Sequence, residues 1–142
     1  MKPVDQTIFE DGRGNCLAAC VASILELSIE EVPNFREAPH AETTMKEWLA
    51  ERGYSVFRYT VLSPEELTTT FFDTGRGVYV ILGGDGPRKN ADGRTKQHAV
   101  VGVAAGYGIK IVHDPHPSRA GLIDKGHRFV WLLVHGSLPN AS

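Results

Sequence analysis

Apolar residues near the start of the chain recur at the spacing of an α-helix. The apolar face of residues 16–27 consists of Leu17, Cys20, Val21, Ile24 and Leu25. Alanines fill much of the opposite side, and Gly12 and Gly14 break the chain just before this run. The pattern predicts a helix over residues 16–27 that is buried on nearly all sides.

A second helix is predicted over residues 42–52, because apolar residues recur there every three or four positions and Gly53 follows. Between the two helices, Ser28 is placed to cap a short turn that Pro33 ends. A further capped turn is predicted in SPEEL, residues 63–67.

Five later runs are rich in β-branched and aromatic residues, which favours strands that are buried on at least one face. These runs are YSVFRYTVL (54–62), GVYVILGG (77–84), HAVVGVAA (98–105), IKIVHD (109–114) and HRFVWLLVH (127–135). They follow the helices along the chain, and this order predicts one α+β domain over residues 1–142. Its helices should pack on one side of an antiparallel sheet.

Two connections between the predicted strands have turn compositions. The polar, Gly-rich segment GGDGPRKNADGRTKQ (83–97) predicts a mobile loop, and GYG (106–108) predicts a tight hairpin turn. The large aromatic residues are assigned to the core: Trp48, Tyr79, Phe129 and Trp131.

Composition narrows the functional classes. The chain has 142 residues, 42% of them hydrophobic, which suits one domain with a substantial core. Its formal charge of −2 gives no support for nucleic-acid binding, and no apolar run reaches membrane-spanning length. The opening MKPVDQTIFEDG lacks an apolar signal region, so we expect a cytoplasmic protein whose two cysteines are free thiols.

Cys16 and Cys20 lie four positions apart, on one face of the first helix. Cys16 falls in the first turn, where the helix dipole favours a thiolate, and the Gly-rich EDGRGN before it leaves it reachable. Cys20 lies one turn deeper and is better suited to packing. The pattern leaves two interpretations open: a nucleophile at Cys16, or two small buried hydrophobic side chains.

A nucleophilic cysteine needs a base, and two later residues are placed to provide a base and an orienting acid. His98 opens one predicted strand, and Asp114 closes the next. If these strands pair through the GYG turn, the two side chains meet at one end of the hairpin. The carboxylate would then fix the imidazole tautomer and leave the other ring nitrogen facing a cysteine.

The order of these motifs resembles the papain-like cysteine peptidases, above all the compact domains that remove double-glycine leaders from bacteriocin precursors. NCLAACVASIL is similar to the family's nucleophile helix, and HAVVGV followed by IVHDP is similar to its His and Asp-Pro strands. The resemblance implies a papain-like fold, in which the buried N-terminal helix carries Cys16 and packs on an antiparallel sheet that carries His98 and Asp114.

The same resemblance implies a cysteine hydrolase, either a peptidase or an amidase, that forms a thioester acyl-enzyme. Cys16 would be the nucleophile, His98 the general base and acid, and Asp114 the orienting group. A peptide or protein substrate, no cofactor, and a bacterial or phage origin are also implied.

Members of that family carry a Gln shortly before the cysteine, and its side chain joins the oxyanion hole. Here the only upstream Gln is Gln6, ten residues before Cys16, so FEDGRG would have to loop out to keep it in place. The Asn15 side chain and the Cys16 backbone amide are alternative donors. Gln6 and Asn15 are therefore both candidates for the oxyanion hole.

The segment HDPHPSRAGL, residues 113–122, is expected to form a rim beside the site. Two of its residues, His116 and Arg119, are candidate substrate contacts. His113 and His116, with His98 and the cysteines, also make a zinc site conceivable, although no CxxC spacing supports it.

Two further interpretations stay open. The chain can be a non-catalytic papain-like binding module that acts on a protein partner, with residues 83–97 as its recognition arm. It can also carry a redox-sensing thiol pair, although positions i and i+4 of a helix disfavour a disulfide.

Overall fold

A computed structural model describes residues 1–61, 77–105, 108–123 and 128–136 of the chain. Two α-helices and two single-turn 3₁₀ helices precede all five strands of one antiparallel sheet. The helices are α1 (Cys16–Leu25) and α2 (Ala41–Ala50), with 3₁₀ turns at Ile29–Glu31 and Phe35–Glu37 between them. The strands are β1 (Tyr54–Val61), β2 (Val78–Lys89), β3 (Thr95–Ala105), β4 (Gly108–His113) and β5 (Arg128–His135). The predicted α+β class is confirmed, including a helix that begins at Cys16.

Both predicted helices form, and each ends two residues earlier than predicted. Helix α1 ends because Glu26 adopts a left-handed conformation with φ of 58° and donates its N–H to the Ala22 carbonyl. The predicted turn after it is confirmed, since the Ser28 N–H donates to the Glu31 carboxylate at 2.7 Å. The predicted SPEEL turn lies outside the described residues.

The sheet order is β1-β5-β2-β3-β4, so the last strand of the chain lies between the first two. Every neighbouring pair is antiparallel. Strands β3 and β4 pair as predicted, with Ala105 opposite Gly108, while residues 106 and 107 of the predicted GYG turn lie outside the described residues. This hairpin brings the start of β3 and the end of β4 to the same end of the sheet.

The central strands β2 and β3 are buried on both faces of the sheet, which explains their continuous apolar runs. On one face, Ile81 and Val101 pack with residues of both helices, including Cys20, Met45 and Leu49. A second cluster consists of Val80, Leu82, Val100, Ala104 and Val130. Eight of the ten residues of α1 are buried, so the predicted burial of this helix is confirmed.

The predicted loop over residues 83–97 is wrong, because most of it forms the β2–β3 hairpin. Strand β2 continues to Lys89 and β3 begins at Thr95, which leaves a five-residue connection. Strand pairing joins backbone groups, so glycines and charged residues do not prevent it on an exposed ribbon. The assignment of Tyr79 to the core is also wrong, since this residue is 41% exposed. In the described part of the chain, no helix has the length and apolar composition needed to span a membrane.

Gly53 joins α2 to β1 in a left-handed conformation, with φ of 81°. Gly53→Ala is expected to lower the free energy of unfolding by about 1–2 kcal/mol, because an L-residue is strained in this region. Space is not limiting, since an added Cβ would lie 3.7 Å from Nε2 of His135. Gly53→Asn should cost less, because Asn tolerates this conformation. Urea denaturation measures both, and an alanine variant as stable as the wild type would contradict the prediction.

Candidate active site

Cys16 is the first residue of α1, and its side chain faces the point where the helix meets the sheet. The first hydrogen bond of the helix joins the Ala19 N–H to the Asn15 carbonyl at 2.9 Å. The N–H groups of the first turn therefore have no partner within the helix, and no side chain caps this end. The positive end of the helix dipole thus lies at the Cys16 thiol, which is only 6% exposed.

His98, near the start of β3, lies next to the thiol, and the two residues line the same two cavities. Hydrogen bonding to the His98 side chain and to the backbone N–H of Ala99 lowers the pKa of the Cys16 thiol. Strand β2 passes close to the imidazole, because a Cβ on Gly86 would lie 3.1 Å from the His98 Cβ. The imidazole is therefore held between the helix start and the neighbouring strand.

Asp114 follows β4 and fixes the imidazole from its far side. Nε2 of His98 lies 2.6 Å from Oδ1 of Asp114, so the predicted proximity of these two residues is confirmed. The carboxylate also accepts the backbone N–H groups of His116 at 2.8 Å and Gly121 at 2.6 Å. Since a carboxylate only accepts, Nε2 carries a proton and Nδ1 is left for Cys16.

The electrostatics of these three groups favour a thiolate–imidazolium pair. Burial raises the pKa of the Cys16 thiol, but the hydrogen bond and charge of His98 help to lower it by more than burial raises it. The net pKa of Cys16 is therefore below its usual value. Burial lowers the pKa of His98, and its bonds to Asp114 and Cys16 raise it to about 9. Burial raises the pKa of Asp114, and its three hydrogen bonds bring it down to about 2.

Cys20 has the opposite environment. It is fully buried, and burial raises its pKa well above the usual thiol value. Both cysteines are free thiols. The full burial of Cys20 agrees with the prediction that Cys20 is a packing residue.

Gln6 lines the same cavity as Cys16, although the two residues are ten positions apart. The backbone N–H of Gln6 donates to the Pro115 carbonyl at 3.0 Å, and the N–H of Asn15 donates to the Ile8 carbonyl at 3.3 Å. Because the second of these bonds holds Ile8 next to Asn15, residues 9–14 loop out between them. The buried Gln6 side chain donates from Nε2 to the Ile8 carbonyl at 2.9 Å, which leaves the second Nε2 hydrogen available.

Asn15, the other candidate for the oxyanion hole, is committed elsewhere. Its Oδ1 accepts the backbone N–H groups of Thr7 and Ile8, each at 2.9 Å, and its Nδ2 donates to the Thr7 hydroxyl at 3.0 Å. The Asn15 side chain thus holds the segment that carries Gln6.

The two candidate rim residues differ in position. His116 lies beside the site, with its ring centroid 6.3 Å from that of His98 and 5.3 Å from that of Phe9. Arg119 forms a bidentate ion pair with Asp5, at 2.5 and 2.9 Å, and also donates to the Asp114 carbonyl. Arg119 lines neither of the two cavities next to Cys16 and instead fastens the Asp114 loop to the N-terminal segment.

The histidines considered as zinc ligands are not gathered around one point. Nε2 of His113 lies 2.8 Å from the Val4 carbonyl, and His113 lines neither of the cavities next to Cys16. Nδ1 of His116 accepts the Ser118 N–H at 3.0 Å. Within the described ranges, no three His, Cys, Asp or Glu side chains are grouped in a way that would hold a metal ion.

Two cavities meet at the thiol, and both are lined by Cys16, Arg36, Gln97 and His98. Cavity A has a volume of about 270 Å³. Its further lining includes Gln6, Phe9, Arg88, Lys96 and His116. Cavity B has a volume of about 330 Å³. Its further lining includes Leu17, Arg58, Gly83, Phe129 and Trp131. Cys16 therefore lies where the two cavities adjoin.

Sequence reasoning missed several lining residues. Phe129 and Trp131 were assigned to the core, but both are partly exposed and line cavity B. Their strand pattern gives no sign of this, since it depends on β5 lying beside β2. Arg36 was not considered, because its approach to Cys16 follows from the path of the chain between the helices.

The arrangement combines a thiol, an imidazole that can take its proton, and a carboxylate that orients the imidazole. Two cavities reach this thiol. Such a set can perform nucleophilic acyl transfer. No protein-family model, curated protein or solved structure matches the chain.

Proposed function

We propose that this protein is a cysteine hydrolase with a papain-like fold, which cleaves a peptide, isopeptide or amide bond through a thioester acyl-enzyme. The observation that carries the proposal is the arrangement of three side chains: the His98 imidazole lies next to the Cys16 thiol and lowers its pKa, and the Asp114 carboxylate lies 2.6 Å from the imidazole. All three side chains are buried, yet both cavities reach the thiol.

Each group has one task in the reaction. The Cys16 proton moves to Nδ1 of His98, and the thiolate attacks the substrate carbonyl carbon. As the tetrahedral intermediate collapses, the imidazolium gives this proton to the leaving amine, and the C–N bond breaks to leave a thioester. His98 then takes a proton from water, the hydroxide attacks the thioester, and the Cys16 thiolate departs with the acid as product. Asp114 stays ionised and holds the ring.

The oxyanion of both tetrahedral intermediates needs preorganised donors. The backbone N–H of Cys16 lies in the uncapped first turn of α1, and Gln6 lines cavity A beside the thiol. Two donors at this position match the usual composition of an oxyanion hole. We therefore assign this role to the Cys16 amide and the Gln6 side chain.

The test is the rate of iodoacetamide labelling of Cys16 against pH, with the labelled site read by mass spectrometry. Cys16 should label fast well below the ordinary thiol pKa of about 8.5. At pH 6.5, His98→Ala should slow labelling by at least about tenfold, because the remaining buried thiol loses the partner that lowers its pKa. His40→Ala removes an exposed histidine at the start of α2 and should leave the rate unchanged.

Slow labelling with an ordinary titration, the same in wild type and His98→Ala, would overturn the catalytic proposal. It would favour the alternative of a non-catalytic binding module on this scaffold. Cys20 provides an internal reference in every sample, because its full burial should keep it unlabelled while the protein is folded.

A further inference from the structure

Arg36 stands where cavities A and B meet, together with Cys16 and His98. Burial raises the pKa of the Cys16 thiol, and the charge of Arg36 is among the influences that lower it. A guanidinium that acts on the thiol across the cleft also acts on whatever substrate group lies beside the thiol.

The backbone of Arg36 is firmly held. Its neighbour Phe35 is 1% exposed and belongs to the core, while the Asn34 side chain accepts the Arg36 N–H at 3.2 Å. Asn34 also donates to the Arg13 carbonyl at 2.7 Å, and Arg13 pairs with Glu37 at 3.0 Å. These contacts connect the 3₁₀ turn Phe35–Glu37 to the loop that leads into Cys16. The backbone of Arg36 is therefore held in place next to the two cavities.

Other cations of the cleft are neutralised by neighbouring carboxylates. Lys96 in cavity A pairs with Asp11 at 2.8 Å, and Arg58 in cavity B pairs with Glu42 at 2.8 Å. Their charges therefore contribute little to the binding of a further anion.

Arg36 is different, because its side chain forms no ion pair or hydrogen bond with any residue that the structure describes. Arg88, farther along cavity A, donates only to the Ser118 hydroxyl at 3.1 Å and has no carboxylate partner among the same residues. Cavity A is also lined by Glu10, but this carboxylate is paired with Arg13 at 2.8 Å. Arg36 and Arg88 are therefore cations of cavity A that lack a carboxylate partner among the described residues, in a protein whose net charge is −2. Such a local excess is typical of an anion-binding surface.

We propose that Arg36 binds a carboxylate of the substrate in cavity A, so that preferred substrates carry an acidic group close to the scissile bond. This inference rests on the proposed cysteine hydrolase and adds the chemical character of its substrate. The carboxylate can come from an Asp or Glu side chain or from the C-terminus of a short peptide. Planar guanidinium groups bind either one through two parallel hydrogen bonds.

The experiment compares iodoacetate with iodoacetamide as alkylating agents of Cys16. Both form the same S–C bond and release iodide, and they differ only in a carboxylate against an amide. The ratio of their rates therefore cancels any effect of a variant on the thiolate fraction. Arg36→Gln should lower the iodoacetate-to-iodoacetamide ratio about tenfold, the size expected for a charge-assisted hydrogen bond. Arg36→Lys should restore part of it.

The matched control is Arg94→Gln. Arg94 lies at the tip of the β2–β3 hairpin, and its side chain lines neither cavity. Its ratio should equal that of the wild type. Fast iodoacetamide labelling with a ratio that Arg36→Gln leaves unchanged would overturn the role of Arg36 and leave the hydrolase proposal intact. Slow iodoacetamide labelling of the wild type would overturn both.

The source of the carboxylate is decided with three chloroacetyl peptides: chloroacetyl-Gly-Glu-amide, chloroacetyl-Gly-Gln-amide and chloroacetyl-Gly-Gly with a free C-terminus. Faster alkylation of wild-type Cys16 by the Glu peptide, lost in Arg36→Gln, supports an acidic side chain. Faster alkylation by the free acid supports a chain terminus. Equal rates for all three peptides would overturn the proposal.

Discussion

Replacement of Asp114 by alanine is expected to lower the free energy of unfolding by about 3–5 kcal/mol at pH 7, the range typical of removing one partner from a buried ion pair. The Asp114 carboxylate accepts hydrogen bonds from the buried His98 ring and from the N–H groups of His116 and Gly121. Alanine leaves all three donors without their acceptor at a buried position. Urea denaturation at pH 7 measures the loss.

The variant Asp114→Asn keeps the shape of the side chain but removes its negative charge. Asn keeps an oxygen that can accept from the backbone, so this variant should be more stable than Asp114→Ala. It should nevertheless label more slowly at Cys16, since a neutral neighbour no longer favours the imidazolium. An alanine variant that unfolds at the wild-type urea concentration would contradict the structural role assigned to Asp114.

The pH dependence of stability provides an independent check of the same pair. The pKa of Asp114 is lowered to about 2, so its contribution should be lost as the pH falls from the ordinary carboxyl range toward 2. The pKa of His98 is raised to about 9, so its contribution is complete below its ordinary range and is lost as the pH rises through 9. In Asp114→Asn the acid loss from this group disappears and the alkaline loss shifts to lower pH. Parallel stability profiles for the two proteins would contradict the assignment.

The parts of the fold that were predictable from sequence depend on local patterns. The periodicity of residues 16–27 and the Gly that follows α2 encode the two helices, and the branched residues encode the strands. The position of β5 between β1 and β2 was not predictable, because antiparallel pairing joins backbone groups that are the same in every strand. The β2–β3 hairpin was missed for a related reason: its polar, Gly-rich composition is typical of a loop, although its backbone pairs.

The candidate site divides in the same way. Cys16, His98 and Asp114 carry local signals, since each lies at or near the end of an element, and one hairpin brings two of them together. Arg36 and Trp131 carry no such signal, because their approach to the thiol depends on how the turns and β5 pack. Gln6 is intermediate: the sequence suggested that residues 9–14 loop out, and the hydrogen bonds between Ile8 and Asn15 support it.

Gln6→Ala is expected to slow the formation of the acyl-enzyme by about 10²–10³-fold, the usual cost of removing one oxyanion-hole donor. The measurement is the release of p-nitrophenol from p-nitrophenyl acetate, a small ester that needs no specific recognition. Alkylation by iodoacetamide forms no oxyanion, so the same variant should label Cys16 at close to the wild-type rate. The two reactions share a nucleophile and a base, and only one of them needs the donor.

The matched control is Thr7→Ala. Thr7 follows Gln6 in the N-terminal segment, and this variant removes the hydrogen bond from the Asn15 side chain to the Thr7 hydroxyl. If Gln6 acted only by holding this segment in place, both variants would slow ester cleavage and alkylation together. A selective loss of ester cleavage in Gln6→Ala, absent from Thr7→Ala, separates transition-state stabilisation from packing. If Gln6→Ala keeps the full rate of ester cleavage, the second donor must be sought elsewhere around the first turn of α1.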